Sequence, residues 1–339
     1  MQTDLRLPVT IRPGRDGDAE GFIALIGACW SEYPSIVFDV DAEVPELHAL
    51  ASHYAFKGGA LWSADANGQI VGMIGVIPHE ADAWEIVRLY VLQRWRGTRL
   101  AHRLLETAEA QARTQGATRL VLWSDTRFAR AHRFYERRSY VRSGPIRVLN
   151  DLSNSLEFAY AKPVSGIETL DAAAAVSAEQ VLADLLVACV DAGASVSYLP
   201  PLDLTTARGF WKRMAAEVAR GERLLLGGWL DGELVGTVSV DLNTPPNQPH
   251  RAEVQKLLVH PAARRRGLAR ALMERAEQEA ARAHRSLLTL DTRAGDSAEL
   301  LYRATGWHEA GRIPGYALNS EGTPCETVLF WKELPDHTE

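Results

Sequence analysis

Residues 252–280 read AEVQKLLVHPAARRRGLARALMERAEQEA, and residues 84–112 read WEIVRLYVLQRWRGTRLAHRLLETAEAQA. The two stretches superpose without a gap, 168 positions apart, with identities at Glu85 and Glu253, Val91 and Val259, Arg96 and Arg264, Leu104 and Leu272, Glu106 and Glu274, and Glu109 and Glu277. The likeness continues as VLWSDTR against LLTLDTR and HRFYERRSY against ELLYRATGW, and upstream as Ala28-Cys29 against Ala188-Cys189. A period near half of the 339 residues is too long for a solenoid and indicates duplicated domains. The boundary falls around Pro163 to Gly166, where the polar, turn-forming KPVSG follows the apolar run Leu156 to Lys162, which gives domains 1–164 and 165–339.

Each half repeats one order of elements. An apolar helix (Ala19 to Trp30; Ala178 to Val190) precedes polar helical material and then a hairpin. Asn67-Gly68 and Asp231-Gly232 mark the hairpin turns, because these residues tolerate the positive φ that tight turns need. A strand ending at Val91 or Val259 leads into an Arg-rich loop. The next helix carries Leu268, Leu272, Ala276 and Ala280 on one face and charge on the other. Another strand, a short helix with Tyr135 or Tyr302, and final strands complete the unit. Each half is expected to be α+β, with a core of its own.

Composition narrows the functions. Lys and Arg total 37 against 43 for Asp and Glu, a net charge of −6, which argues against a general electrostatic grip on nucleic acid. Cys29, Cys189 and Cys325 lie far apart and offer neither a disulfide framework nor a paired-cysteine zinc site. His250, His260, His284 and His308 lack a metal-like spacing, so no metal is expected. The N-terminus has no secretory pattern, and no stretch of about 18 apolar residues occurs. The expectation is a cytoplasmic protein with no membrane partner.

The chemically suggestive stretch is VHPAARRRGLARALM, residues 259–273. A strand ends, a loop runs through Arg264, Arg265, Arg266 and Gly267, and a helix begins whose first amides and dipole face outward, which makes an anion site. Gly267 admits a ligand close to the main chain, and the short Ala269 keeps the first turn open. A bare arginine triplet is more often a solvated charge run. The spacing Arg264-x-x-Gly267-x-Ala269 directly after an apolar strand, repeated in layout, favours the anion reading. Neither GxxxxGK[ST] nor GxGxxG occurs.

Strand, R-x-x-G-x-G/A, helix, then a second strand and a helical Tyr together resemble the GCN5-related N-acetyltransferase (GNAT) superfamily, here in tandem over nearly the whole chain. The C-terminal half, with GASVSYLPPL, TPPNQPHRAEVQKLLVHP, TLDTR and GWHEAGRIPGYAL, resembles the tabtoxin-resistance acetyltransferases in particular. The resemblance implies two α+β domains, each a mixed, mostly antiparallel sheet flanked by helices. It also implies an acetyl-CoA site where two parallel strands splay apart. The pantetheine arm would pair near Leu257, Leu258 and Val259, and the pyrophosphate would lie on the loop and first turn, Arg264 to Arg266, Gly267, Leu268, Ala269 and Arg270. GASVSYLPPLD, Gly193 to Asp203, would border the acceptor pocket. Glu253, Asp291 and Tyr302 would be the catalytic constellation: Glu253 the general base through water, Asp291 a group for the substrate ammonium or a second proton relay, Tyr302 the acid toward sulfur. Singly, each also reads as a strand-flanking, loop-capping or core residue.

The N-terminal half keeps counterparts at Glu85, Asp125 and Tyr135, and for the cofactor at Leu89, Tyr90, Val91, Arg96, Gly97, Thr98, Arg99, Leu100 and Ala101. It departs from the pattern at Arg99, which stands where the other half has Gly267, and at Ser139, which stands where it has Gly306. These departures make the C-terminal domain the expected enzyme and the N-terminal one a weaker enzyme or a scaffold. The expected reaction is acetyl transfer to a small amine, such as an amino-acid-like toxin or antibiotic, by direct transfer in a ternary complex. The alternatives are a peptide or protein amine as acceptor, or a non-catalytic protein that binds acetyl-CoA or another ligand. The expected assembly is a monomer with its domains paired internally, or a homodimer.

Overall fold

The structure, a computed structural model, describes residues 8–80 and 82–335. The chain divides into two compact units, one of residues up to 133 with 142–164, the other of 134–141 with the chain from 165 onward. In the first, the helix Ala19–Trp30 precedes the hairpin Ala60–Ala66 and Gln69–Pro78, then come the strand Ala83–Val91, the helix Leu100–Thr114 and the strand Arg119–Asp125. The helix Ala129–Glu136 and the strand Leu156–Pro163 follow. The second repeats the plan: helices Glu179–Asp191 and Leu204–Ala219, hairpin Arg223–Leu230 and Glu233–Asp241, strand Arg251–Val259, helix Leu268–Arg282, strand Leu287–Arg293, helix Ser297–Ala304, and strands His308–Leu318 and Pro324–Glu333. The expected hairpin turns are present, with positive φ at Asn67, Gly68, Asp231 and Gly232. The expected strands end at Val91 and Val259.

Each unit holds one mixed sheet, seven-stranded in the second. Among the described pairings the parallel steps are Ala83–Val91 with Arg119–Asp125, and Arg251–Val259 with Leu287–Arg293. In the second unit the helix Leu268–Arg282 covers one face, burying Leu268, Leu272, Ala276 and Ala280 against Val238, Val254, Leu290 and Phe330. A second apolar cluster joins Leu182, Leu186, Trp211 and Met214 of the two earlier helices to Leu225 and Trp229. Gly236 has a packing reason: a Cβ there would stand 2.8 Å from Leu268 and 2.9 Å from Leu272. The bare backbone lets the helix after the Arg-rich loop sit close on the sheet. In the first unit Phe22, Leu25 and Ile26 pack with Leu47, Leu50 and Met73. One ion pair recurs, Lys162 to Glu109 at 2.9 Å and Lys332 to Glu277 at 2.8 Å, tying the helix after the loop to the last strand in both units.

The Arg-rich loops share a backbone shape that the residues alone do not display. Two positions in each are left-handed: Gly97 (φ +81°) and Arg99 (φ +65°) in the first unit, Arg265 (φ +61°) and Gly267 (φ +83°) in the second. One glycine and one arginine fill the two places in opposite order. The glycine expected to be missing from the first unit has moved two residues along the loop, and Arg99 adopts the conformation that Gly267 adopts. Ser139 likewise takes a left-handed φ of +65°, against +81° at Gly306. A Cβ at Gly267 would meet no atom within 4 Å, so its value is conformational rather than steric.

A left-handed residue with a Cβ is strained by about 1 kcal/mol relative to glycine. Arg99→Gly should therefore stabilise the protein by about 1 kcal/mol and Gly267→Ala destabilise it by a similar amount in chemical denaturation. A loss of stability in Arg99→Gly would contradict the shared loop geometry.

Candidate functional site

The site begins where two strands part. Arg251, Ala252 and Glu253 pair with Leu287, Leu288 and Thr289, and the parallel pairing ends there. Past Glu253 the strand bulges: Lys256 takes a φ of +54°, and the register with the neighbouring strand shifts between Thr237 and Ser239. A bulge bends the strand that carries it. From Val254 to Val259 the strand stays paired to Glu233–Asp241 on one side, while no described strand pairs with its other edge. A cleft of about 890 Å³ opens there, and Leu257, Leu258 and Val259 line it.

The Arg-rich loop forms one end of the cleft. Arg264, Arg265, Gly267, Ala269 and Arg270 line it with Leu268, and Arg264 to Gly267 are exposed. Gly267 caps the helix Leu268–Arg282 without any side-chain hydrogen bond, so the first-turn amides receive no side-chain acceptor. Open amides, the helix dipole and exposed guanidinium groups together suit a polyanion such as a pyrophosphate. Arg266 stands apart from this group, held by Asp231 at 2.9 Å.

Glu253, Asp291 and Tyr302 all line the same cleft. Glu253 is half-buried and accepts a hydrogen bond from Gln255 Nε2 at 3.0 Å. Asp291 is exposed, its Oδ2 3.4 Å from the Thr327 hydroxyl. Tyr302 is only 6% exposed, and burial, aided by the charge of Asp291, pushes its phenol well above its ordinary range. A buried phenol that stays protonated keeps an O–H that can donate, beside carboxylates that can accept protons or hold an ammonium.

The first unit has the same parting of strands and a different chemistry. Pairing ends at Glu85 with Val121, and Arg88 takes the bulge conformation of Lys256 with φ +53°. Burial raises the Glu85 carboxyl, with His79 Nδ1 3.7 Å away. Asp125 is buried and tied to Arg127, whose backbone N and Nε both donate to Oδ1 at 2.8 Å. Burial opposes its charge, but the Arg127 bonds outweigh burial and hold the carboxyl below its usual range. Tyr135, in the stretch 134–141 that groups with the second unit, is buried edge-on to Phe134 and Tyr140.

Two of the cofactor residues expected in the first unit are engaged by other side chains. Arg96 is clasped by both oxygens of Glu32, at 2.7 and 2.6 Å, and Tyr90 accepts from Trp30 Nε1 at 3.1 Å. Arg99 and Thr98 are exposed, the Thr98 hydroxyl donating to the Trp95 carbonyl at 2.7 Å. The helix Leu100–Thr114, which carries Leu100 and Ala101, again lacks a side-chain cap. Two residues downstream of Glu253 and its duplicate, sequence comparison passed over Gln255 and its counterpart Val87. It also passed over Lys256, half-buried, with Nζ 3.1 Å from the Ser197 hydroxyl and 5.8 Å from the Phe210 ring centre. Burial pushes that ammonium down, against the charges of Asp291 and Glu253. Among the described residues Lys256 has no carboxylate ion-pair partner, whereas Arg88 pairs with Glu46. The only early hint was a cation three residues after a repeated glutamate.

No group of three or more His, Cys, Asp or Glu that could hold a metal occurs among the described residues, and no described helix is long and apolar enough to cross a membrane. The sequence model described as the acetyltransferase (GNAT) family matches residues 25–140 and again 197–307. Among curated proteins, the uncharacterised N-acetyltransferase YjgM of Escherichia coli is 34% identical over 95 residues, 27% of this chain and 57% of that protein. The aminoalkylphosphonate N-acetyltransferase of Salmonella typhimurium is 38% identical over 82 residues, 23% of this chain and 53% of that protein. The chain thus spans little more than half the length of these two relatives. Among solved structures, yncA, a putative acetyltransferase from Salmonella typhimurium with its cofactor acetyl-CoA, superposes with a TM-score of 0.43 at 18% identity, covering 52% of this chain and 97% of its own.

The cysteines report on the packing of the two units. Cys29 and Cys189 are buried at equivalent places, their sulfurs 3.7 Å from the Val91 carbonyl and 3.4 Å from the Val259 carbonyl, and burial raises both thiols. Cys325 is partly exposed. With a disulfide reagent at neutral pH, one thiol per chain should react fast, and Cys325→Ser should abolish that phase, because the thiolate is the nucleophile. Fast reaction of Cys189 would contradict the described burial.

Proposed function

The chain belongs to the acetyltransferase (GNAT) family, and from that premise we propose that its C-terminal unit is an acetyl-CoA-dependent N-acetyltransferase for a small primary amine, working by direct transfer in a ternary complex. The observation that carries this reading is the open strand edge Val254–Val259, flanked by a glutamate at the fork and an uncapped helix N-terminus at the loop. The unpaired edge suits the amide-bearing pantetheine arm, and the loop amides with Arg264, Arg265 and Arg270 suit the pyrophosphate. When bound, acetyl-CoA supplies the acetyl group as a thioester.

An amine near neutral pH is largely ammonium, so it must lose a proton before its nitrogen can attack. Glu253 takes that proton through water, and Asp291 holds the ammonium before it is lost. Nitrogen then bonds to the acetyl carbon as the carbon–sulfur bond breaks. Tyr302, kept protonated by burial and by Asp291, donates to the departing sulfur. A strand amide near Leu258 on the open edge steadies the charge on the carbonyl oxygen. The products are an amide and a free thiol.

Lys256 supports an acceptor that carries an anion as well as an amine. It is a half-buried cation without an ion-pair partner among the described residues, in the wall that also carries Glu253 and Asp291. The resemblance of GASVSYLPPLD to the tabtoxin-resistance enzymes favours an amino-acid-like acceptor, and the named activity of the aminoalkylphosphonate relative favours the same pairing of charges. The first unit is read as a scaffold or weaker site, because Glu32 neutralises Arg96 where the aligned residue of the second unit is Ala192.

Thiol release from acetyl-CoA with a panel of free amino acids, aminoalkylphosphonates and polyamines tests the reaction, with mass spectrometry for one added acetyl group. Tyr302→Phe should lower kcat by about 10²-fold or more and Tyr135→Phe should leave it near wild type. Loss of turnover in Tyr135→Phe alone would place catalysis in the N-terminal sequence repeat. Binding without thiol release for every amine would leave a ligand-binding protein instead.

A further inference from the structure

Arg223 lies at the start of its strand, only 8% exposed, three strands wide of the cleft's far wall. Its fork is fully used. Nε donates to Glu217 at 2.5 Å, NH2 to Asp241 at 2.8 Å, and NH1 to the Ser239 hydroxyl at 3.3 Å and to Gln255 Oε1 at 3.1 Å. The register sets these residues in two neighbouring rows across three strands: Arg223 opposite Asp241 opposite Glu253, and, two residues along, Ser239 opposite Gln255.

Two consequences follow for Glu253. A guanidinium only donates, so Gln255 must turn its carbonyl oxygen toward Arg223 and its NH2 toward Glu253, to which it donates at 3.0 Å. The orientation of an otherwise ambiguous amide is thereby fixed. Second, Asp241 and Glu253 face each other across the strands, a like-charge pairing that disfavours the fold. Arg223 takes Asp241 as its own partner and leaves Glu253 with an oriented donor.

The duplicated unit serves as an internal control. There the equivalent pairs are Gly75 opposite Val87 and Ile77 opposite Glu85. The glutamate survives, and the two rows have lost the amide, the hydroxyl and the second carboxylate. If the rows only held the sheet together, the two copies of one fold would have equal need of them.

We propose that Arg223 and Gln255 are positioning residues that hold the Glu253 carboxylate aimed into the cleft for proton removal from the amine. This rests on the reading of Glu253 as base, and the two stand or fall separately in the following test. Gln255→Glu keeps the shape and the bond from Arg223 but presents an oxygen, not a donor, to Glu253; Gln255→Met removes the donor without adding charge. With the fastest acceptor from the panel of amino acids, aminoalkylphosphonates and polyamines, both should lower kcat by about ten-fold or more, with KM for acetyl-CoA nearly unchanged. Glu253→Gln should lower kcat by about 10²-fold or more, and adding Gln255→Glu to it should cost nothing further, because the two act as one unit. Wild-type kcat in both Gln255 variants, with Glu253→Gln inactive, would overturn the positioning role and leave the base in place. Full activity in Glu253→Gln would overturn both. A readout needing no acceptor accompanies these: in nitrogen-15 spectra the Gln255 side-chain NH2 should exchange slowly with water and lose that protection in Arg223→Met, and rapid exchange in the wild type would overturn the proposal.

Discussion

Two parallel strands that share hydrogen bonds up to Glu253 and then separate leave a row of backbone N–H and C=O groups with no partner in the sheet. Such groups are costly when kept from both water and a partner, so a strand can be parted inside a fold only where something else will satisfy it. The bulge at Lys256 parts it, and the helix Leu268–Arg282, drawn close to the sheet by the bare Gly236, sets an uncapped N-terminus at the end of the gap. An extended, amide-bearing, anionic molecule meets both demands together. The fork also gathers the chemistry, since the last paired residue is Glu253, and Asp291 and Tyr302 arrive from the opposite strand and its following helix.

The two units show how one backbone plan hosts different electrostatics. Both part the same strands, bulge at the same cation and turn the same two loop residues left-handed. In the first unit three of these charges are already spent: Arg96 on Glu32, Arg88 on Glu46, Asp125 on Arg127. In the second Arg265, Lys256 and Asp291 face the cleft. Ion pairs that saturate charged groups stabilise little at a surface, but they remove those groups from service toward a ligand.

Much of this was legible in the residues. The 168-residue repeat, the turns at Asn67-Gly68 and Asp231-Gly232, the strand ends at Val91 and Val259 and the apolar face from Leu268 to Ala280 all follow from period and turn chemistry, which are local. Glu253, Asp291 and Tyr302 were named from a resemblance, and the structure brings them to one cleft. What escaped is non-local or depends on backbone angle. Arg99 read as a broken motif because a motif compares one position at a time, whereas the loop needs two left-handed residues and accepts its glycine at either. Nothing in a lysine or an arginine announces a positive φ, so the bulges at Arg88 and Lys256 had no signal. The row from Arg223 to Glu253 joins residues on three strands, and only the register sets them side by side.

A crystal structure of the full chain grown with coenzyme A tests the central claim most directly. The account predicts one coenzyme A molecule in the C-terminal unit, its pantetheine arm paired to the Val254–Val259 edge and its pyrophosphate on the amides of Arg265 to Ala269. Coenzyme A bound only in the first unit, or lying away from the parted strands, would contradict it.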